Sequence, residues 1–197
     1  IALSRRCCGP VKTNGPAMRA QPRGFTLVEA VVCLLLVSIL LAIAVPAWSN
    51  VLARSHAAAA RSALLASLQA SITHAAIPGT KVVLCPATSV DCTDGWDWSE
   101  GWIAYADIDG DRSHDANETL LQRQPPLEDD IRLFSSKGRK RLVFQPNGGN
   151  AGSNVTFTLC TGRGPGSAAA LVLSNAGRLR DARASPRAAG QCLAARR

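Results

Sequence analysis

Three groups of residues in this chain have types and spacings that could do chemistry. The first is Asp107-Ile108-Asp109-Gly110-Asp111, followed by Asp115 and Glu118. Counted from Asp107, acids fall at positions one, three, five, nine and twelve, which is close to a twelve-residue calcium loop. Asp107, Asp109 and Asp111 are the weak calcium candidates. The sixth position of such a loop calls for Gly, and Arg112 stands there. No helix pair flanks it, so the plain alternative is a solvated acidic turn around Gly110. The second group is Gly177-Arg178-Leu179-Arg180, continued by Arg183, Arg187, Arg196 and Arg197. Arg178 and Arg180 on a strand would share a face, about 7 Å apart. Such a pair can reach adjacent phosphates of one nucleic-acid strand through charge-assisted bonds, and Gly177 would admit a phosphate backbone closely. Arg139, Lys140 and Arg141 would add a second edge. Aromatic residues are few around these bases, so binding would be indifferent to base sequence. A solvated basic tail, or one paired with the acidic segment, is the plain alternative. The third is Glu29, a carboxylate set in an apolar run, where it costs about 2.5–3.5 kcal/mol on insertion scales and is a functional candidate by default.

Groupings known from hydrolases are missing. There is no Gly-x-Ser-x-Gly, no His-Glu-x-x-His and no Cys–His pair beyond the apolar segment, and His114 beside Asp115 reads as a turn feature. The Gly162–Gly166 turn lacks the Lys-Ser/Thr of a phosphate loop. His56 and His74 read as boundary or surface residues. The sequence therefore reads as a non-enzyme without cofactors.

Charge is strongly segregated. Residues 1–24 carry five bases and no acid, and residues 91–130 carry twelve acids against two bases. Residues 131–197 carry twelve bases against Asp181 alone. A basic block of that size calls for an anionic partner or for neutralisation by the acidic segment.

These groups need elements to position them. Ala30 to Ser49 is twenty residues without a charge, long enough to cross a bilayer as a helix. The bases ahead of it keep its start cytoplasmic and send the rest outward. A cleaved secretory signal is the alternative, but Pro46 and Trp48 sit badly for that cut. Leu64, Leu68 and Ile72, with Leu65 beside them, mark one face of an amphipathic continuation, which Pro78-Gly79 stops. Phe25 to Ala76 is expected as one long helix kinked at Pro46. Short apolar runs follow: 81–85, 102–106, 119–122, 131–134, 141–145, 155–160 and 169–174. Asn147-Gly148-Gly149-Asn150 reads as a hairpin turn. Strands of this number and length suit a two-sheet antiparallel head packed on the helix, an α+β class. Trp96, Trp98 and Trp102 are expected in the core or at its rim.

Of the seven cysteines, Cys33 lies in the apolar run. Cys85, Cys92, Cys160 and Cys192 would face an oxidising space, where an even number suggests disulfides. Proximity favours Cys85–Cys92 and leaves Cys160–Cys192, which would hold the basic tail against the head. Zinc is the competing reading, but the spacings are not zinc-like.

The run Arg23-Gly24-Phe25-Thr26-Leu27-Val28-Glu29 between a basic stretch and an apolar helix resembles the prepilin peptidase site of type IV pilins and type II secretion pseudopilins. That resemblance implies cleavage after Gly24, N-methylation of Phe25, and a Glu29 that pairs with the N-terminal amine of a neighbouring subunit during assembly. It implies a leader over 1–24, a transmembrane helix over 25–49, its periplasmic continuation over 50–77 and a β-rich head over 78–197. A start at Met18 would give a leader of usual length, so residues 1–17 read as an upstream extension that is not made, leaving Cys7 and Cys8 without function. Trp98-Ser99-Glu100-Gly101-Trp102-Ile103, the Asp-rich turn, Glu118-Thr119-Leu120-Leu121 and the Cys85-Pro86 to Cys92 segment resemble the GspH/FimT group of minor pilins and pseudopilins. Gly177-Arg178-Leu179-Arg180 resembles the Gly-Arg-x-Arg motif of FimT-type minor pilins, which bind DNA during natural transformation. The implied partners are other major and minor pilins or pseudopilins, prepilin peptidase, the bacterial inner membrane and DNA. The rival reading is a GspH-type pseudopilin of a type II secretion system.

Overall fold

The computed structural model describes residues 24–162 and 165–194. The chain forms two compact units, 1–44 and 45–197. The proposed leader up to Arg23, including Met18, Cys7 and Cys8, lies outside the described residues, as do Arg196 and Arg197.

Helix α1 spans Leu27–Ala76, with Pro46 inside it. The Thr26 hydroxyl accepts from the Glu29 backbone N–H at 3.3 Å, so Thr26 is the N-cap and Glu29 the third helical residue, the spacing of a capping box. The first part of α1 is long and apolar enough to cross a membrane, with a mean hydropathy of 2.9. Farther on, Ala60, Leu64, Ser67, Leu68, Ser71 and Ala75 are buried, a stripe at helical spacing. The helix ends as expected at the Pro78-Gly79 turn, where Gly79 has φ 72°.

Eight strands follow: β1 (Lys81–Pro86), β2 (Trp102–Asp107), β3 (Leu120–Gln124), β4 (Ile131–Ser135), β5 (Leu142–Phe144), β6 (Val155–Thr161), β7 (Ala169–Leu173) and β8 (Leu179–Arg183), then helix α2 (Pro186–Ala194). They form two four-stranded sheets, ordered β3-β2-β1-β5 and β4-β6-β7-β8. Every pairing is antiparallel.

The main core joins Val82, Leu84 and Trp102 of the first sheet to Leu133, Phe157 and Leu173 of the second, with Leu64 and Leu68 of α1. The Trp102 indole N–H donates to the Ser67 hydroxyl at 2.9 Å, and that hydroxyl donates to the Ala63 carbonyl. Trp98 stands edge-on to Phe157 at 5.2 Å. Residues of alternate parity in the first sheet, Val83, Cys85, Ile103, Tyr105 and Val143, form a second buried cluster. That sheet is therefore covered on both faces, which explains why its strands read as continuous apolar runs.

Two local features add to the sequence reading. The Asn147–Asn150 turn forms, with Gly148 N–H donating to the Gln145 carbonyl and Gly148 at φ 77°. Phe144 bridges antiparallel to Asn150 and Ala151 N–H donates to the Val143 carbonyl, so a short hairpin forms as expected, while β5 and β6 themselves belong to different sheets. Helix α2 was not expected at all. Ser185 caps it, its hydroxyl accepting from Ala188 N–H at 3.2 Å, and Pro186 takes the first helical position, where its missing N–H costs nothing.

Candidate nucleic-acid interface

The basic C-terminal segment is positioned by the β7–β8 turn. Ser174 N–H donates to the Arg178 carbonyl, Gly177 N–H to the Ser174 carbonyl, and Arg178 N–H to the Ser174 hydroxyl at 3.1 Å. Gly177 has φ 75°, and a Cβ there would stand 2.7 Å from the Gly148 carbonyl oxygen. The turn and this close backbone approach already require glycine at 177.

Strand β8 sorts its residues by parity. Leu179 packs against the main core, and Asp181 pairs with Arg61 of α1 at 2.6 Å. Arg180 and Ala182 therefore face the other way. Arg180 is registered opposite Val172, and Val172 opposite Thr156. Val172, Thr156 and Ala182 line a groove of about 480 Å³ between this sheet face and α2. Arg183 reaches the groove from the end of β8, Arg187 from the first turn of α2, and Lys137 from the loop after β4. Hydroxyls of Ser135, Ser136, Thr158 and Ser185 complete the lining. Three cations converging on hydroxyls and open to solvent can neutralise and hydrogen-bond successive phosphates.

Two devices hold this geometry. A disulfide joins Cys160 of β6 to Cys192 of α2, with Cα atoms 5.4 Å apart. Lys137 Nζ sits 5.4 Å from the centre of the Trp96 ring, and Trp96 packs on Phe134 at 5.0 Å. A second disulfide, Cys85–Cys92, joins β1 to the following loop. Cys33 is exposed and unbonded.

The expected second basic edge, Arg139, Lys140 and Arg141, lines a separate cleft together with Arg112 and Asp94. Arg139 turns inward: Nη1 donates to the Ala151 carbonyl at 2.9 Å and Nη2 to Asn150 Oδ1 at 2.8 Å. Burial pulls its guanidinium below the ordinary arginine value. Arg141 donates to the Arg112 carbonyl at 2.7 Å and lies 3.6 Å from Asp94. Both serve loop structure. Lys137 takes the place beside the groove, and the run Lys137-Gly138-Arg139-Lys140 was the signal for it, since an exposed turn lysine can swing where a buried arginine cannot.

The other candidates lie apart from this groove. Gly24 and Phe25 precede α1, and Phe25 is exposed. Trp98 and Trp102 are fully buried, and Trp96 is half-buried. His56 Nδ1 lies 2.8 Å from Asp130 Oδ1. Of the acidic candidates, Asp107 ends β2, and Asp109 and Asp111 lie in the loop that follows.

Comparison with known proteins fits this architecture. The family model described as Type II transport protein GspH matches residues 60–177. A model for the prokaryotic N-terminal methylation motif matches residues 19–45, a stretch containing Gly24, Phe25 and Glu29. The crystal structure of the type IV minor pilin FimU of Pseudomonas aeruginosa is similar at 19% identity and TM-score 0.53, covering 66% of this chain and 90% of that one. The minor pseudopilin EpsH of the Vibrio cholerae type 2 secretion system gives 12% identity and TM-score 0.48, covering 65% of this chain and 97% of that one. No curated protein matches. With most of its length matched by that family model and a long helix followed by two antiparallel sheets, the chain belongs to the GspH family and has a pilin-like fold.

Proposed function

We propose that this protein is a minor pilin of a type IV pilus-type filament that binds DNA without sequence preference, as in natural transformation. The observation that carries the reading is the convergence of Lys137, Arg183 and Arg187 on one open groove, with Arg180 on the same sheet face. Prepilin peptidase cleaves after Gly24, Phe25 is N-methylated, and Glu29 neutralises the amine of an adjacent subunit, each charge being tolerable in hydrocarbon only with the other. Residues 25–49 cross the inner membrane, residues 50–77 continue the helix in the periplasm, and residues 78–197 form the periplasmic head. The role is structural and binding rather than catalytic.

The test is DNA binding by the full chain in detergent micelles as salt is raised. Duplex affinity should fall with a log–log slope of about −0.9 per phosphate neutralised. Replacing Arg178 and Arg180 with Gln, and separately Arg183 and Arg187, should flatten that slope by about one per lost contact. A slope unchanged in both double variants rejects the assigned residues.

The second reading is a GspH-type pseudopilin of a type II secretion system, favoured by the description of the matching family model. No DNA binding at low salt, together with loss of protein secretion on deletion, would select it.

A further inference from the structure

The loop between β2 and β3 buries negative charge in an unusual way. Asp107 is 2% exposed and Glu118 8% exposed, and neither takes part in an ion pair among the described residues. Asp107 Oδ1 accepts from Gly110 N–H at 3.0 Å and Arg112 N–H at 3.3 Å. Its Oδ2 is sealed from solvent with no hydrogen-bond partner. A buried, unpaired anionic oxygen is costly unless a cation meets it. Glu118 is aimed across the same loop, Oε1 accepting from Ile108 N–H at 2.8 Å and Oε2 from Asp115 N–H at 3.3 Å.

Carboxylate oxygens of Asp107, Asp109 and Glu118 lie within 4.8 Å of one another, and so do those of Asp109, Asp111 and Asp115. The two triads share Asp109, and the one that includes the buried oxygen-bearing Asp107 is Asp107, Asp109 and Glu118. Arg112 removes the objection raised by its own identity. It adopts φ 66°, the one non-glycine residue in the left-handed region among the described residues. The sixth-position turn that normally calls for Gly is thus made without it. Lys81, registered opposite Asp107, brings its ammonium against Gly110 of the same loop, and Arg141 is bonded to the Arg112 carbonyl; both nearby cations lower affinity for a metal ion.

We propose that Asp107–Glu118 is a calcium site whose carboxylate donors are Asp107, Asp109 and Glu118, with Asp111 and Asp115 forming an exposed acidic rim beside it. Hard carboxylates at odd spacings closed by a glutamate suit the six to eight flexible ligands of Ca²⁺ better than the strict octahedron of Mg²⁺. His114 belongs to neither triad, so the donor set holds no nitrogen that would favour zinc.

The experiment is calorimetric titration of the full chain in detergent, stripped by chelator, with CaCl2 and separately MgCl2, without DNA. One saturable calcium event is expected with Kd on the order of 10⁻⁴–10⁻³ M, as in extracellular modules. Thermal unfolding should shift up by roughly a few degrees in excess calcium. Asp109 is exposed, so D109N tests the site without endangering the fold and should weaken binding by about tenfold or more. D129N, an exposed acid outside the loop, should leave binding unchanged. Absence of saturable calcium binding up to about 10 mM, parental affinity in D109N, or equal loss in D129N would overturn the proposal.

Discussion

Arg61 of α1 and Asp181 of β8 are joined at 2.6 Å, and this pair turns the single acid of the C-terminal segment away from Arg180. The acid that the sequence places between two arginines is spent on the helix. Both side chains are well exposed, so the pair contributes little to stability. D181N should cost less than about 1 kcal/mol in chemical denaturation. It should raise DNA affinity while leaving the salt slope unchanged, since no phosphate contact is altered. A steeper slope would mean that the freed Arg61 had joined the interface.

Trp102 and Ser67 link the first sheet to α1 through one buried hydrogen bond. S67A leaves the indole N–H unpaired and should destabilise by about 1–3 kcal/mol. L68A, at the fully buried neighbour, should cost more, about 2–5 kcal/mol, because it opens a cavity. Denaturant midpoints of the two variants give the comparison.

Tyr105 is the only tyrosine in the chain, so phenolate absorbance reports it alone. Burial first, then the nearby carboxylates Asp107, Glu118 and Asp111, push its phenol well above the ordinary value, against the opposing pull of Arg141. The folded state thus holds the proton more tightly than the unfolded state. Its contribution to stability is complete below pH of about 10 and is lost as pH rises beyond that. Phenolate absorbance should stay absent above that pH until the head unfolds, and Y105F should flatten the alkaline loss. A titration near the ordinary value without unfolding would refute this.

C192S releases α2 from β6. The lost cross-link should cost about 2–4 kcal/mol and should weaken DNA binding through Arg187, which α2 carries. Reduction of the parent protein, which also opens Cys85–Cys92, should weaken DNA binding in the same way and destabilise the head further. Normal binding by the C192S protein would remove Arg187 from the interface.

Much of the head was legible in the sequence because its apolar runs are bounded by turn residues. The helix end at Ala76 followed from Pro78-Gly79, and the first seven strands from Val-, Ile- and Leu-rich runs. Strand β8 was read only as a possible carrier of Arg178 and Arg180. Its sequence, Leu-Arg-Asp-Ala-Arg, has too little apolar content to announce an edge strand. Helix α2 was missed although Ser185-Pro186 is a start signal, because nine residues with Gly190 in the middle lack a clear apolar stripe. The groove was half legible. Arg183 and Arg187 were named, but Lys137 comes from a distant loop that only the β4–β6 pairing brings near, and the inward turn of Arg139 depends on the Ala151 carbonyl and the Asn150 side chain. Arg112 in a left-handed turn contradicts residue preference and is visible only in the backbone.

Each rim of the second sheet is defended. Beside β4, the segment Trp96–Trp98 occupies the free backbone groups: Trp98 N–H donates to the Leu133 carbonyl and Ser135 N–H to the Trp96 carbonyl. At the opposite rim, β8 carries Arg180, Asp181 and Arg183, all exposed. Incoming strands from other copies would have to bury those charges against their own. The second sheet therefore resists being extended, through either rim, into a continuous sheet with another copy.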